Sequence, residues 1–195
     1  MPIGRWVLEE ACAQLAKWQA EESGDAPLSM SVNLSGKQFS QPDLIELVET
    51  IIARSGIAPG SLNLEITESA IMEDAQIVTN RLLELRKLGV KLGLDDFGTG
   101  YSSLSYLHRF PLDTLKIDRS FVARLLEDGE NREIVRTIVT LGKNLGMDVV
   151  AEGAEEAQQL SDLRGLNCQH GQGYFFARPL PADEAIRVLR EKPQW

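Results

Sequence analysis

The stretch Leu94-Asp95-Asp96-Phe97-Gly98-Thr99-Gly100-Tyr101-Ser102-Ser103-Leu104 places two adjacent carboxylates where a hydrophobic strand is predicted to stop. Two acids side by side repel each other unless a positive charge lies close to them. Carboxylate oxygens suit Mg²⁺ or Mn²⁺, and adjacent acids can bridge and flank two such ions. The glycines that follow let the backbone turn sharply and approach a ligand. The stretch therefore indicates a divalent-metal site at the end of a strand.

The same arrangement recurs along the chain. Six short apolar runs, the last of them at residues 166–168, are each followed or ended by a polar or charged residue, and these residues are Asn33, Glu65, Asp95, Lys116, Glu152 and Gln172. Segments of helical period lie between the runs, at residues 44–55, 74–88, 130–145 and 155–163, with a last one at 181–190. Short strands that alternate with amphipathic helices predict an α/β fold with a parallel sheet. Functional side chains at the carboxyl ends of such strands are typical of the (β/α)₈ barrel.

The count of strands predicts an incomplete barrel. Only six apolar runs are present where a barrel of this type needs eight strands. The chain opens on a predicted helix, residues 3–21, with a stripe of apolar side chains spaced for burial: Ile3, Val7, Ala11, Leu15 and Trp18. We therefore expect one domain over residues 1–195 that holds about six βα units and lacks its first strands. If the chain truly begins at Met1, its exposed strand edges predict a homodimer, a rearrangement or aggregation. The simpler interpretation is that it is the carboxyl-terminal part of a longer protein.

Composition and charge narrow the classes of function. The chain has 195 residues with 43% hydrophobic content, no apolar run long enough to span a membrane and no leader, which predicts a cytoplasmic globular protein without membrane contact. Cys12 and Cys168 are far apart in apolar contexts, which indicates buried thiols. The net charge of −9 makes duplex nucleic acid a poor partner. A small phosphate ester remains possible because bound cations invert the sign of an acidic cleft.

Several motifs have competing interpretations. Asp96-Phe97-Gly98 invites comparison with protein kinases, but the chain lacks a glycine-rich loop, a His-Arg-Asp loop and an upstream strand lysine. Gly98-Thr99-Gly100 lacks the third glycine of a dinucleotide fingerprint. Taken alone, Asn33 is also typical of a turn, and Lys116 of a surface charge. Glu65 and Glu152, taken alone, also suit solvated strand ends.

A larger set of segments resembles one family in order and spacing over essentially the whole chain. The segments are Ser31-Val32-Asn33-Leu34-Ser35, Leu64-Glu65-Ile66-Thr67-Glu68, Asp95 through Leu104, Leu115-Lys116-Ile117-Asp118, Val150-Ala151-Glu152-Gly153, Gln172-Gly173-Tyr174 and Arg178-Pro179-Leu180. They resemble the EAL-domain cyclic-di-GMP phosphodiesterases. The family's Glu-Ala-Leu segment, which supplies one metal-binding glutamate and a substrate-binding arginine, is absent from this chain. The resemblance implies an incomplete barrel of the EAL type.

The resemblance also implies a reaction, a cofactor and a set of site residues. The substrate would be cyclic-di-GMP, opened by metal-dependent hydrolysis to linear pGpG, with Mg²⁺ or Mn²⁺ in a two-metal site. The implied metal ligands are Asn33, Glu65 and Asp95 for the first ion, and Asp95 with Asp96 for the second. The implied catalytic residues are Lys116 beside the attacking water, Glu152 as general base or water-mediated ligand, and Gln172 at the water or metal shell. Two implied supporting residues are Glu68, which would hold the loop 96–103, and Glu155, which would lie near Lys116 and Glu152. The implied substrate-binding residues, which would contact a guanine, are Phe176, Arg178 and Pro179.

The missing Glu-Ala-Leu segment keeps a second function open. A catalytically impaired module that binds cyclic-di-GMP, or that docks a protein partner, would retain the same residues. A barrel enzyme acting on glycerol phosphodiesters is the third candidate, and the lack of a histidine at any predicted strand end counts against it.

Overall fold

A computed structural model describes residues 2–21, 28–71, 75–100, 107–127, 129–191 and 193. Residues 101–104 of the acidic stretch, and Asp74 at the start of one predicted helix, lie outside the described residues. The chain divides into two compact units, a first unit of residues 1–115 and a second unit of residues 116–195.

The first unit alternates helices and strands as the sequence predicts. Its elements, in chain order, are α1 (Pro2–Glu21), β1 (Met30–Leu34), α2 (Gly36–Phe39), α3 (Leu44–Ser55), a 3₁₀ turn (Pro59–Ser61), β2 (Leu62–Thr67), α4 (Glu68–Ile71), α5 (Ala75–Lys87) and β3 (Lys91–Phe97). Strand β4 (Thr114–Ile117) contains the division between the units. The second unit continues with α6 (Arg119–Ala123), α7 (Gly129–Asn144), β5 (Asp148–Glu152), α8 (Ala157–Gly165), β6 (His170–Gln172) and α9 (Ala182–Glu191).

The three strands β1, β2 and β3 form a parallel sheet in which neighbours along the chain are neighbours in space. Val32 is opposite Leu64, and Leu64 is opposite Leu92. Because successive side chains in a strand point to opposite faces, these residues share one face of the sheet. All three are at most 4% exposed, and they belong to the core of the first unit, where α1 packs on β1 and α5 on β3. The opposite face carries the polar residues.

The buried stripe of α1 differs from the predicted one. Leu8, Cys12 and Leu15 are fully buried, whereas Ile3 and Val7 are exposed, so only Leu15 of the predicted stripe lies in the core. Two apolar series of helical spacing overlap in this helix and share Leu15. The packing of α1 on α3 and β1 selects one series, and periodicity alone does not reveal which.

Local signals fix the end of β1. Ser35 follows the strand and begins α2 with a capping box: its hydroxyl accepts the Gln38 N–H at 3.3 Å, and the Gln38 side chain accepts the Ser35 N–H at 3.2 Å. The strand therefore stops at Leu34, and Asn33 lies near its carboxyl end.

The second unit has its own apolar core. Strands β5 and β6 pair in parallel, with Val150 opposite His170 and Glu152 opposite Gln172. Helix α7 packs on β5 and on α6, and Val149 and Ala151 of β5 are buried.

The last strand lies later than the sequence predicts. The apolar run 166–168 predicts a strand, but β6 begins at His170. Leu166 caps the carboxyl end of α8, and Asn167 takes a left-handed backbone conformation with φ of 60°. The Cys168 N–H then donates to the Leu163 carbonyl at 2.9 Å. The run is apolar because it ends helix α8 against the core. Apolarity alone therefore indicates that the segment is buried, but not whether it is helix or strand.

Among the helices that the structure describes, none combines the length and the apolarity that a membrane crossing requires.

Candidate active site

The polar face of the first sheet collects the predicted metal ligands of the first unit. Asn33 on β1 is directly opposite Glu65 on β2, and Asp95 on β3 is directly opposite Thr67 on β2. Asn33, Glu65 and Asp95 therefore lie on the same face of three adjacent strands, near their carboxyl ends. Asn33 is exposed, while Glu65 and Asp95 are only 5% and 8% exposed.

Glu65 has a polar neighbour that the sequence reasoning missed. Asn63 precedes it by two residues on the same face, and its side-chain N–H donates to the Glu65 carboxylate at 3.4 Å and to the Ser31 hydroxyl at 3.1 Å. The Asn63 side-chain oxygen is buried and has no hydrogen-bond partner among the described residues. The period of two in β2 was the available signal, because it puts Asn63 and Glu65 on one face.

Gly93 leaves space for this acidic face. It lies opposite Glu65 in the β2–β3 register. A Cβ atom at Gly93 would lie 3.3 Å from the Asn63 side-chain nitrogen and 3.4 Å from Glu65 Cγ. A side chain here would therefore press on both polar groups.

Asp95 and Asp96 end strand β3 in different conformations. Asp95 is buried, and its Oδ1 accepts the Asp96 N–H at 3.1 Å. Asp96 is half-buried and has φ of 55°, a left-handed conformation that aspartate adopts more readily than most residues. The change of backbone direction at Asp96 ends the alternation of the strand. One oxygen of each carboxylate lies within 4.8 Å of the other, although neighbouring side chains of a regular strand point to opposite faces.

Glu68 holds the beginning of the loop after β3. It is 1% exposed, and one carboxylate oxygen accepts the Gly98 N–H at 2.9 Å and the Gly100 N–H at 3.4 Å. A Cβ atom at Gly100 would lie 2.8 Å from the other oxygen of Glu68, so the close approach requires glycine. The Thr99 hydroxyl donates to the Asp96 carbonyl at 2.9 Å. These contacts link Glu68 to residues 96–100, the described part of the loop that the resemblance assigns to it.

In the second unit, the ends of β4 and β5 bring Lys116 and Glu152 together. The Lys116 Nζ and Glu152 Oε1 atoms are 2.6 Å apart, and the two side chains are 4% and 16% exposed. A lysine buried to this extent needs a charge partner, which Glu152 provides. The structure thus joins two of the three predicted catalytic residues in a direct ion pair.

Gln172, the third predicted catalytic residue, is next to Glu152 in the β5–β6 register. Its side chain is exposed, and its carbonyl accepts the Ala154 N–H at 3.1 Å. Gly173 follows, and a Cβ atom there would lie 2.1 Å from the Ala154 carbonyl oxygen. The chain after β6 therefore passes directly over the chain after β5, and only glycine permits this.

Glu155 contributes mainly its backbone to this region. Its side chain is exposed, and its N–H donates to the Gln159 side-chain oxygen at 2.8 Å. Together with Arg119, Ser120 and neighbouring residues, it lines a cavity of about 330 Å³. Gln159, which is 5% exposed, is a second buried polar residue that the sequence reasoning missed. Its position three residues after the helix cap was the available signal.

The predicted substrate-binding residues lie after β6. Phe176 packs edge-to-face with Phe175, their ring centroids 5.7 Å apart, and a Cβ atom at Gly171 would lie 3.2 Å from the Phe176 ring. Arg178 is exposed and lies over the Tyr174 ring at 4.6 Å from its centroid. Pro179 is exposed. Arg178 and Tyr174 form a cation–π pair that holds the guanidinium in place.

Polar side chains at the carboxyl ends of parallel strands, which both units carry, are typical of α/β-barrel proteins. The chain belongs to the EAL domain family, whose model matches residues 1–179. It is 43% identical over 184 residues to the bifunctional diguanylate cyclase/cyclic di-GMP phosphodiesterase MucR of Pseudomonas aeruginosa, covering 94% of this chain and 27% of MucR. The chain spans about a quarter of the length of the curated relatives it matches.

Solved structures agree with this assignment. The structure of the MucR phosphodiesterase in complex with c-di-GMP matches with a TM-score of 0.90 and 43% identity, over 94% of this chain and 74% of that one. The manganese and cyclic-di-GMP complex of BlrP1 from Klebsiella pneumoniae matches with a TM-score of 0.78 and 30% identity, over 90% of this chain and 45% of that one. The predicted fold class, an α/β barrel of the EAL type represented here by six strands, is confirmed.

Proposed function

We propose that this chain hydrolyses one phosphodiester bond of cyclic-di-GMP to give linear pGpG, and that the reaction needs Mg²⁺ or Mn²⁺. The observation that carries the proposal is the row of oxygen donors on one face of the first sheet, where Asn33, Glu65 and Asp95 lie near the carboxyl ends of three adjacent strands. The relatives support the substrate, because MucR is a cyclic di-GMP phosphodiesterase and the solved MucR structure is a c-di-GMP complex. We also propose that the chain acts in the cytoplasm.

The donors present fit a divalent metal. One amide oxygen and three carboxylates, from Asn33, Glu65, Asp95 and Asp96, form the hard oxygen set that Mg²⁺ and Mn²⁺ prefer. Two of these carboxylates are buried, where negative charge is costly without compensation. The buried Asn63 oxygen beside Glu65 leaves a polar site that a hydrated ion would satisfy. These residues would hold the ions, which when bound neutralise phosphoryl charge and lower the pKa of coordinated water.

The residues of the second unit would handle the protons of this hydrolysis. Lys116 is buried beside Glu152 at 2.6 Å, so its ammonium is fixed in one place and can orient the attacking water and offset charge on the phosphoryl oxygens. Glu152 is the candidate to accept the proton of that water, either directly or as a water-mediated metal ligand. One P–O bond forms to the water oxygen, and the bond to the ribose 3′-oxygen breaks. The leaving oxygen takes a proton.

The remaining predicted residues support this chemistry. Glu68 would keep the loop after Asp96 in one shape through its bonds to Gly98 and Gly100. Gln172 adjoins Glu152 and would contact the same water or metal shell. Phe176, Arg178 and Pro179 would contact a guanine, with the Arg178 guanidinium presented by Tyr174.

The test is an assay of the purified chain with cyclic-di-GMP and Mn²⁺ or Mg²⁺ that follows binding and pGpG formation in parallel. We expect turnover that EDTA abolishes and that Glu152→Gln lowers by at least about 100-fold, the low end for general-base catalysis. Asp148→Asn is the matched control, because Asp148 is an exposed acid at the opposite end of the same strand. Tight binding without turnover would replace hydrolysis with sensing of the dinucleotide. Neither binding nor turnover from a folded sample would overturn the proposal.

A further inference from the structure

Gln159 is a buried side chain that makes three hydrogen bonds to backbone groups, two of them in the segment 155–156 and one in α6. Its oxygen accepts the N–H of Glu155 at 2.8 Å and the N–H of Glu156 at 3.0 Å, and its nitrogen donates to the Val122 carbonyl at 3.2 Å. The side chain is 5% exposed. Backbone groups fix which end of the amide faces which partner, because reversing it would bring donors against donors.

These bonds connect the two segments that carry the Lys116–Glu152 pair. Val122 is in α6, which begins three residues after Lys116 and is capped by Asp118, whose carboxylate accepts the Ser120 N–H at 2.9 Å. Glu155 and Glu156 follow Glu152 in the loop 153–156. One side chain therefore ties the loop after β5 to the helix after β4.

The segment between Glu152 and the Gln159 bonds has little freedom of its own. Gly153 has φ of 75°, and a Cβ atom there would lie 2.6 Å from Arg119 Cβ, so the loop runs directly against the start of α6. Ala154 is fully buried and bonded to the chain at Gln172 and Phe175. A displacement of the loop relative to α6 is consequently transmitted to the strand end at Glu152.

We propose that Gln159 is a positioning residue for the hydrolysis proposed above: by tying the loop 153–156 to α6, it sets the separation of the Lys116 ammonium and the Glu152 carboxylate. The inference rests on that proposed function. Catalytic geometry tolerates displacements of about 0.5 Å, so loss of this tie should reduce turnover without changing the residues that contact substrate. The competing role is simpler, since Gln159 also completes the capping box of α8 with Glu156.

Gln159→Glu separates the two roles. A glutamate at this position still accepts the N–H groups of Glu155 and Glu156, so α8 stays capped, but it has no donor for the Val122 carbonyl. Gln159→Met removes all three bonds. Gln158→Met is the matched control, because the neighbouring glutamine is exposed and bonds only within α8 among the contacts described, to Asp162 at 3.3 Å.

We expect Gln159→Glu to lower kcat by about 10-fold or more, as loss of outer-sphere support does elsewhere, with KM for cyclic-di-GMP changed less than about 2-fold. Urea unfolding shows whether each assayed variant is folded. If Gln159→Met does not fold, the result for Gln159→Glu alone decides the test. Wild-type kcat in folded Gln159→Glu would show that Gln159 is only a helix cap and would overturn the proposal.

A second readout is independent of turnover. The side-chain ammonium of Lys116 is followed by ¹⁵N NMR and assigned with Lys116→Met. We expect its signal to shift in Gln159→Glu and Gln159→Met and to stay in place in Gln158→Met. If the wild-type chain shows no hydrolysis, the proposed function fails, while a shifted Lys116 signal still supports the tie. An unmoved signal in Gln159→Glu overturns the inference in either case.

Discussion

The two units place different charges at the ends of their strands. In the first unit, Glu65, Asp95 and Asp96 place acids close to one another on or beside one sheet. In the second unit, the acid at the end of β5 meets a buried lysine at 2.6 Å. Gathered acids favour binding of an external cation, whereas an acid–lysine pair compensates its own charge and keeps a proton donor and acceptor in fixed positions. The strand ends of the two units therefore differ in the charges that they bring together: acids with acids in the first unit, and an acid with a lysine in the second.

Removal of one side chain of the Lys116–Glu152 ion pair should have the largest effect on the free energy of unfolding. Glu152→Ala removes the carboxylate that lies 2.6 Å from the buried Lys116 ammonium, which should lower the free energy of unfolding by about 3 kcal/mol at pH 7. The double variant Lys116→Met/Glu152→Ala should lose clearly less than the sum of the single losses, since it leaves no charge stranded. Urea unfolding of the four proteins measures this. Additive losses would show that the two side chains do not depend on each other.

The acids of the first unit, Glu65, Asp95 and Asp96, should respond mainly to metal. With EDTA, Asp95→Asn should stay folded, because the asparagine oxygen still accepts the Asp96 N–H. Saturating Mn²⁺, at 100 times its Kd, should stabilise the wild type by about 2.7 kcal/mol and the variant by much less. Thermal unfolding with and without Mn²⁺ is the measurement.

The control for this prediction is Glu84→Gln, an exposed acid on α5, which should keep the full Mn²⁺ effect. An equal Mn²⁺ shift in Asp95→Asn would remove Asp95 from the metal site.

A substitution at Gly93, which lies against Asn63 and Glu65, should have a smaller effect. Gly93→Ala places a methyl group 3.3 to 3.4 Å from the Asn63 and Glu65 side chains, which must move by a few tenths of an ångström. We expect about 1 kcal/mol of destabilisation and a weaker response to Mn²⁺. Gly129→Ala is the control, because nothing lies within 4 Å of a Cβ atom there and alanine favours the helix. A wild-type Mn²⁺ response in Gly93→Ala would show that Glu65 does not need its present position.

The sequence predicted the alternation of elements and the strand-end residues because both depend on local patterns. Apolar runs and polar terminators are visible in one dimension, so Asn33, Glu65 and Asp95 were placed at the ends of their strands without knowledge of the register. Long helices were equally accessible: the predicted segment 44–55 coincides with α3. Order and spacing of these motifs then identified the EAL family, which the family model confirms.

What the sequence missed depends on contacts between distant segments. The buried stripe of α1 was misjudged because its partners α3 and β1 select one of two apolar series. The run at 166–168 predicts a strand that is not there, because apolarity does not distinguish a helix end from a strand. The roles of Asn63 and Gln159 follow from side-chain bonds to other segments, at Ser31 and Val122, which no local pattern encodes. The residues at the strand ends could therefore be predicted from local patterns. The residues that hold neighbouring segments in place, such as Asn63 and Gln159, could not.

The smallest expected effect compares one thiol from each unit. Burial raises the pKa of Cys12, and burial also raises the pKa of Cys168, although backbone hydrogen bonding and Lys143 offset part of the latter shift. Because each folded pKa lies above the ordinary thiol value of 9.0, each thiol contributes stability below that pH. This contribution should be lost as the pH rises toward the folded pKa, since the unfolded chain gives up its protons first. Iodoacetamide labelling at pH 8 should therefore be slow for both cysteines and fast after unfolding in urea. Fast labelling of Cys168 alone in the folded protein would show that the second unit opens locally where the first does not.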